Sequence, residues 1–517
     1  MTTHSWDAIV IGAGHNGLVC AQRLAAAGQR VLVVEAADSV GGFAAPREFA
    51  PGFKTTVAAQ WVHQFSDGLA RELELERHGL TWAKRNVATT VVSPERCVTD
   101  ASGAVTGVST ADASAWASLS TRLARFGKFM SALHHTSPPR LGTTRFEDTW
   151  SLLKLGLRLR LLGRREMREF LRIAGMNVYD LATDEIVDPL LQALLAMDAT
   201  LGSNFGPRAP GTVLTLLSRR ANESTTQGGY SLPVGGPAAL AAALAKAAEA
   251  AGVTVRMGTP VAGIAVENDR VAGVDLANGE RLIAPRVVSS VDPRQTFLSL
   301  LGTQHLDTGF VRRVDHFRQR GITAKLHLAL DGLPTFTHLN PEQLGHRLLV
   351  ASSLDQIELA FNASKYGEVS SRPVLEISIP TIHDPSLAPT GRHVLTAVVN
   401  YCAYDTQSDL SSARADLLRN TLAVLETVAP GVGRQIVASE LLLPKDLEHV
   451  CRISGGHWHH GDLAFDQYLM VRPFPGAAQY DSPLDGLHLC GAGSHPGGGL
   501  TGLPGRLAAE RILRKRA

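Results

Sequence analysis

The stretch from Asp7 to Glu35 limits what this chain can fold into more than any other. An apolar run, Ala8-Ile9-Val10-Ile11, leads into Gly12-Ala13-Gly14-His15-Asn16-Gly17, and Leu18 to Ala27 then carries a helical pattern that stops at Gly28. A second apolar run follows from Arg30 and ends in Glu35. Four uninterrupted apolar residues read as a strand buried on both faces, the glycines as a tight turn, and the whole as a strand-helix-strand unit of about thirty residues. In that setting Gly12 allows the turn, Gly14 lets backbone approach a pyrophosphate, and Gly17 lets helix and strand pack closely, while the helix amides meet phosphate charge. Ala13 lies inside the same turn and is counted with its binding residues. Glu35 sits where a carboxylate accepts hydrogen bonds from an adenosine ribose and repels a 2′-phosphate. The expectation is a bound dinucleotide without that phosphate.

The rest of the composition narrows the class of ligand. Lys and Arg number 50 against 48 Asp and Glu, a formal charge of +2, so nothing calls for nucleic acid and a small-molecule substrate is expected. The five cysteines, Cys20, Cys97, Cys402, Cys451 and Cys490, show no C-x-x-C and no metal-ligand spacing. That argues against a disulfide framework, a bound metal and a dithiol electron relay, and it fits a reducing interior. No basic leader precedes Ile9, and the longest charge-free apolar stretch, Leu232 to Ala245, falls short of the roughly twenty residues of a membrane helix. A cytoplasmic protein is expected.

Along the chain, 112–224 is rich in Leu and Arg at helical spacing and reads as a largely helical insertion. Pro237 to Ala251 reads as a helix, followed by strands at Val253–Met257, Val261–Glu267, Arg270–Leu276 and Val287–Ser289. Residues 296–450 mix strands at Ala324–Leu330, Val374–Pro380 and His393–Tyr401 with a helix over Ser411–Ala429, an α+β layout suited to a substrate domain. A buried strand at Leu487–Cys490, a glycine-rich loop and a helix over Leu503–Lys515 close the chain.

The glycine fingerprint does not choose between NAD and FAD, but its continuation does. Glu35-Ala36-Ala37-Asp38-Ser39-Val40-Gly41-Gly42-Phe43 resembles the second glycine motif of two-dinucleotide-binding-domain flavoproteins, in which a Gly-Gly pair approaches the FAD diphosphate. Near the other end, Gly491-Ala492-Gly493 and the loop through Gly499, Thr501 and Gly502 lead into a helix whose N-terminus can stabilise negative charge on a reduced isoalloxazine. The stretches Val287–Pro293, Gly456–Gly461 and Leu489–Gly499 resemble the phytoene-dehydrogenase-related flavoproteins, and within them the branch called pyridine nucleotide-disulfide oxidoreductase domain-containing protein 2. That branch name suggests a disulfide reductase, which the scattered cysteines contradict.

The resemblance implies an α/β fold: a discontinuous Rossmann-type FAD-binding domain from 1–75, 225–295 and 450–517, with Val261 near the adenine. A discontinuous α+β substrate domain with the helical insertion would occupy 76–224 and 296–449. It also implies hydride transfer from a lipophilic molecule, a polyisoprenoid leading, to the flavin. There is no second glycine fingerprint for NAD(P), so oxygen or a quinone is expected as acceptor. Amine oxidation, a redox-neutral isomerase and a binding protein of the Rab GDP-dissociation inhibitor kind are the alternatives.

Three further features stand beside that reading. Lys325 falls where amine-oxidase relatives carry a lysine that holds a water near flavin N5; the plain alternative is a surface lysine on an alternating strand. His457, His459 and His460 could offer proton acceptors, with His457 and His459 as the catalytic candidates, or simply form a packed loop. In Trp150–Ile173, Leu152, Leu155, Leu159 and Leu162 share one helical face, with Lys154, Arg158 and Arg165 toward another. That pattern suits an ordinary helix covering the protein's own core or one lying on an anionic membrane.

Overall fold

In the computed structural model, which describes residues 6–140, 142, 145–226 and 229–514, the opening motif builds the centre of a five-stranded parallel sheet. The strand order is Thr254–Arg256, Val31–Val34, Ala8–Ile11, Val287–Ser289 and Leu487–Leu489. Ile9 pairs with Leu32 on one side and Val287 on the other, and Val287 pairs with Leu487. Strands distant in sequence thus lie side by side.

Strand alternation explains how both faces are covered. Ala8, Val10, Val31 and Val33 pack against the helices His15–Ala26, Ala238–Ala250 and Leu503–Arg514. Ile9, Ile11, Leu32 and Val34 face the opposite way, onto a three-stranded antiparallel sheet of Val261–Glu267, Arg270–Leu276 and Arg281–Ile283. Continuous hydrophobicity follows from burial on both sides. This is a Rossmann-type layer in an α/β fold.

An eight-stranded sheet forms the second layer. Its order is Ile436–Leu442, Thr323–Leu330, His393–Asn400, Val374–Ser378, Arg347–Val350, Thr89–Val92, Cys97–Ala101 and Ala104–Thr106. Five of these strands lie outside the sequence expectation: the three between Thr89 and Thr106, together with Arg347–Val350 and Ile436–Leu442. In the strand Thr323–Leu330, Ala324, Leu326, Leu328 and Leu330 join one core, while Ala329 meets Phe53 and Val394 on the other face. Because that second face is covered by the chain around Phe49 and Phe53, Lys325 is 1% exposed and not the surface lysine of the alternation argument.

The helical insertion is present as Thr110–His134, Phe146–Leu161, Arg164–Ala174, Val178–Glu185, Pro189–Thr200 and Thr212–Glu223. Leu155, Leu159 and Leu162 pack against its core, as an ordinary amphipathic helix requires. The final helix is described to Arg514; Lys515 lies outside the described residues. No helix among the described residues is long and apolar enough to cross a membrane.

Candidate cofactor and substrate cavity

A cavity of about 490 Å³ runs from the first glycine turn to the helices Pro189–Thr200 and Thr212–Glu223. Its outer end is made mostly of backbone. Gly12 has φ +95°, and a Cβ on Gly17 would lie 2.1 Å from the Gly12 carbonyl oxygen, so helix and turn close only around glycine. A Cβ on Gly14 would meet nothing within 4 Å. That residue faces open space and starts the helix without a side-chain cap, which leaves first-turn amides for a ligand. The second glycine turn abuts the first: Gly41, with φ +124°, donates its amide to Ala13 O at 3.0 Å and bridges Gly14. Glu35 ties the wall together, Oε2 accepting from the Ala13 amide at 2.6 Å and Oε1 from the Ala37 amide at 2.9 Å. Thr259 and Val261 complete this end.

The middle of the cavity is closed by the loops that follow Gly456 and Gly491. Their organiser is Arg472, which is fully buried and donates to five carbonyls: those of His459, Gly461, Asp462, Gln467 and Ala492. Burial pulls this guanidinium down to about 10. His457 is held inside the loop, its Nε2 3.1 Å from Asp462 Oδ1 and its Nδ1 accepting from the His459 amide at 3.1 Å. His459 lines the cavity, and burial, with the cation Arg472 among its neighbours, holds it well below the usual histidine range. Among the described residues its Nδ1 has no hydrogen-bond partner. From the first glycine turn, His15 reaches across to the Gly499 carbonyl at 3.1 Å, and burial lowers it to about 4.

The inner end is built from side chains. Arg347, fully buried, donates through Nε to Glu376 Oε2 at 2.6 Å and through Nη1 to Asp198 Oδ1 at 2.7 Å. Arg220 reaches the other Asp198 oxygen at 3.2 Å, and Arg219 and Arg220 both bind Glu223. Burial works to raise Asp198, but the guanidinium groups of Arg347, Arg219 and Arg220 outweigh it and hold the carboxylate well below its usual range. Gln60 bridges this cluster to Lys325: its Oε1 accepts from Lys325 Nζ at 2.5 Å and its Nε2 donates to Glu376 Oε1 at 3.0 Å. Burial drives Lys325 well below the ordinary lysine range, against the pull of Glu376.

Of the residues singled out in the sequence, Gly12, Gly14, Gly17, Glu35, Gly41, Gly42, Val261, His459 and His460 line the cavity. Ala13 stands behind it, as the donor to Glu35. Several lie outside the wall. Gly491 and Gly493 are glycine because a Cβ would strike Ser290 O at 2.3 Å and Pro293 Cδ at 2.6 Å, so they serve packing, and Ala492 between them takes the wall position. Thr501 accepts from the Leu503 amide, and Gly502 packs against Leu69 and Phe65; Gly498, Gly499 and Leu500 line the cavity instead. Lys325 acts behind Gln60, and His457 behind His459. Sequence reasoning missed His15, Gln60, Asp198, Arg219 and Glu376. His15 was within sight, at a variable position of the fingerprint; the others carry no local pattern.

The five cysteines are free, and burial pushes Cys402 and Cys451 up to about 12. Cys490 neighbours Cys20, but both are fully buried, and burial and that contact push the Cys490 thiol well above its usual value. Neither lines the cavity.

The residues present fit FAD: two adjoining glycine turns leave room for a diphosphate, uncapped helix amides face it, and the cavity continues past them. A family profile described as flavin containing amine oxidoreductase matches residues 17–513. The chain is 32% identical to the rat protein named pyridine nucleotide-disulfide oxidoreductase domain-containing protein 2, over 98% of this chain and 93% of that one. It is 26% identical to a neurosporene-forming phytoene desaturase of Cereibacter sphaeroides, over 99% of this chain and 94% of the relative. Among solved structures, an oxidoreductase from Methanosarcina mazei superposes with a TM-score of 0.60 at 18% identity, covering 98% of this chain and 99% of that one.

Proposed function

The chain belongs to the flavin-containing amine oxidoreductase family and is an FAD-dependent oxidoreductase, and from that premise we propose that it dehydrogenates a neutral, largely lipophilic small molecule rather than an amine. The carrying observation is the inner end of the cavity. A carboxylate that recognises an ammonium group must have charge to spare. Asp198 and Glu376 are both buried in the wall; three guanidinium groups already surround Asp198, and Glu376 is held by Arg347 and Gln60. Beside them Trp61, Leu201, Val398, Leu463 and Trp458 offer apolar contact. The phytoene desaturase among the relatives takes a hydrocarbon, by its name, which supports the same reading.

Bound flavin supplies a two-electron acceptor for hydride. In this reading the chain's own residues hold and shield it. Gly12 and Gly14 would receive the diphosphate at the start of the first helix, with Gly17 letting helix and turn close behind them, Gly41 and Gly42 would approach it from the second turn, Glu35 and Val261 would flank the adenosine, and Gly498 to Leu500 would border the ring end. His459, favoured as the neutral imidazole by burial and with no partner at Nδ1 among the described residues, is the candidate proton acceptor, with His457 fixing its amide. Lys325 orients Gln60. The chain then divides into an FAD domain of 1–75, 225–295 and 450–517 and a substrate domain of 76–224 and 296–449. The acceptor is oxygen or a quinone.

The test is the visible spectrum of the purified protein under anaerobic addition of a polyisoprenoid, a secondary amine and NADPH. Bleaching by the polyisoprenoid alone is the expected result. Bleaching by the amine alone would overturn the substrate reading.

A further inference from the structure

The helix Phe146–Leu161 carries two apolar stripes, and among the described residues only one is packed against the fold. Leu155, Leu159 and Leu162 pack inward. On the opposite side Phe146, Trp150, Leu153, Leu157 and Leu161 are 80, 47, 60, 57 and 75% exposed. Their spacing of four, three, four and four residues, at about 100° per residue, keeps all five on one side of the helix. Phe146 and Trp150 stack nearly parallel, centroids 6.4 Å apart, at the N-terminal end of the stripe.

What borders that stripe decides what it meets. On the helical wheel Lys154 and Arg158 flank one side and Arg160 the other, all exposed, with Lys154 Nζ 5.3 Å from the Trp150 ring centroid. Arg164 and Arg165 follow directly in the next helix and are exposed as well. Among the described residues none of these five cations is in a salt bridge. From Phe146 to Arg165 the sequence has two acids, Glu147 and Asp148, and Asp148 is buried. A second copy seated on the stripe would bring two such cationic borders together.

We propose that this helix lies in the plane of an anionic membrane surface, with Phe146, Trp150, Leu153, Leu157 and Leu161 in the interface and the flanking Lys and Arg side chains on lipid phosphates. An apolar band edged on both sides by long cationic side chains matches the boundary between acyl chains and negative headgroups. The surface does not depend on the substrate reading: failure of that reading shows in the flavin spectrum, failure of this one in vesicle binding.

Flotation of the full FAD-loaded chain with phosphatidylcholine vesicles, with and without phosphatidylglycerol, tests it. Binding to the anionic vesicles at least about tenfold above the neutral ones is expected, with falling affinity as salt rises. The triple variant Leu153→Ser, Leu157→Ser, Leu161→Ser should lose binding while keeping its flavin spectrum and melting temperature. The charge variant Lys154→Gln, Arg158→Gln, Arg160→Gln should lose the anionic preference. Trp150 should be quenched by brominated lipid, a signal that Trp150→Phe removes. No binding to anionic vesicles would overturn the proposal. So would undiminished binding of the triple variant, or a concentration-dependent dimer that the triple variant abolishes.

Discussion

The two ends of the cavity are made of different material. At the outer end the chain offers mostly backbone: two glycine turns, first-turn helix amides and one carboxylate, all within residues 11–42. At the inner end it offers side chains, with Asp198, Arg219, Glu376 and Gln60 arriving from four separate segments and held by Arg347, which itself lies behind the wall. A backbone site tolerates no Cβ where chain approaches chain; a side-chain site tolerates no missing partner. Substitutions should therefore fail in different ways at the two ends.

The largest effect is expected at the inner end. Replacing Arg347 with Met removes the cation that Asp198 and Glu376 share; Asp198 keeps Arg219 and Arg220, but Glu376 is left buried without that cation, a loss of about 3–5 kcal/mol of stability. Denaturant unfolding measures it. The double variant Arg347→Met, Glu376→Gln should recover part of the loss, and if it does not, the cluster is not held by charge pairing.

At the outer end Glu35→Gln should act on affinity and less on folding. The amide oxygen of Gln can still accept from the backbone amides that hold the carboxylate, whereas a charge-assisted hydrogen bond from the adenosine ribose is weakened; such bonds are worth about 1.5–3 kcal/mol, so flavin binding weaker by roughly ten- to a hundredfold is expected from titration of the apoprotein. The two glycines next to it separate room for ligand from room for packing. Gly17→Ala pushes a methyl onto the Gly12 carbonyl and should cost about 1–3 kcal/mol in the apoprotein. Gly14→Ala points into open space, so the apoprotein should melt normally while retaining less flavin.

That contrast also explains what the sequence could say. A turn that excludes Cβ atoms has to be written with glycine at fixed spacing, so Gly12, Gly14 and Gly17 were readable before any contact was known. The parallel sheet was readable strand by strand from its apolar runs, though the side-by-side placing of Val287–Ser289 and Leu487–Leu489 was not, because register between distant strands leaves no local mark. Arg347 and Asp198 lie 149 residues apart and meet only after folding. Lys325 misled for a related reason: alternation describes one face of a strand, and the covering of the other face by Phe49 and Phe53 comes from elsewhere in the chain. The glycines at 491 and 493 were visible as a motif, but the motif alone does not say whether a missing Cβ makes space for a ligand or for Ser290.

Histidine titration sharpens the comparison with the smallest effect. His134 is fully buried behind Asn222 of the cavity wall, Nδ1 2.8 Å from Asn222 Oδ1 and Nε2 2.5 Å from the Tyr468 hydroxyl, and burial lowers it to about 4. In the unfolded chain a histidine titrates near 6.5. Between pH 6.5 and 4 the unfolded state therefore binds a proton that the folded state refuses, so stability falls as pH falls through that window and levels off below the folded value. One such group contributes a slope of about 1.4 kcal/mol per pH unit. His134→Gln keeps a polar side chain and removes the proton, so its loss of stability between pH 6.5 and 4.5 should be shallower by about that amount. An unchanged slope would mean that the acid sensitivity comes from the other buried histidines, among them His15, His460 and His495, which burial also lowers.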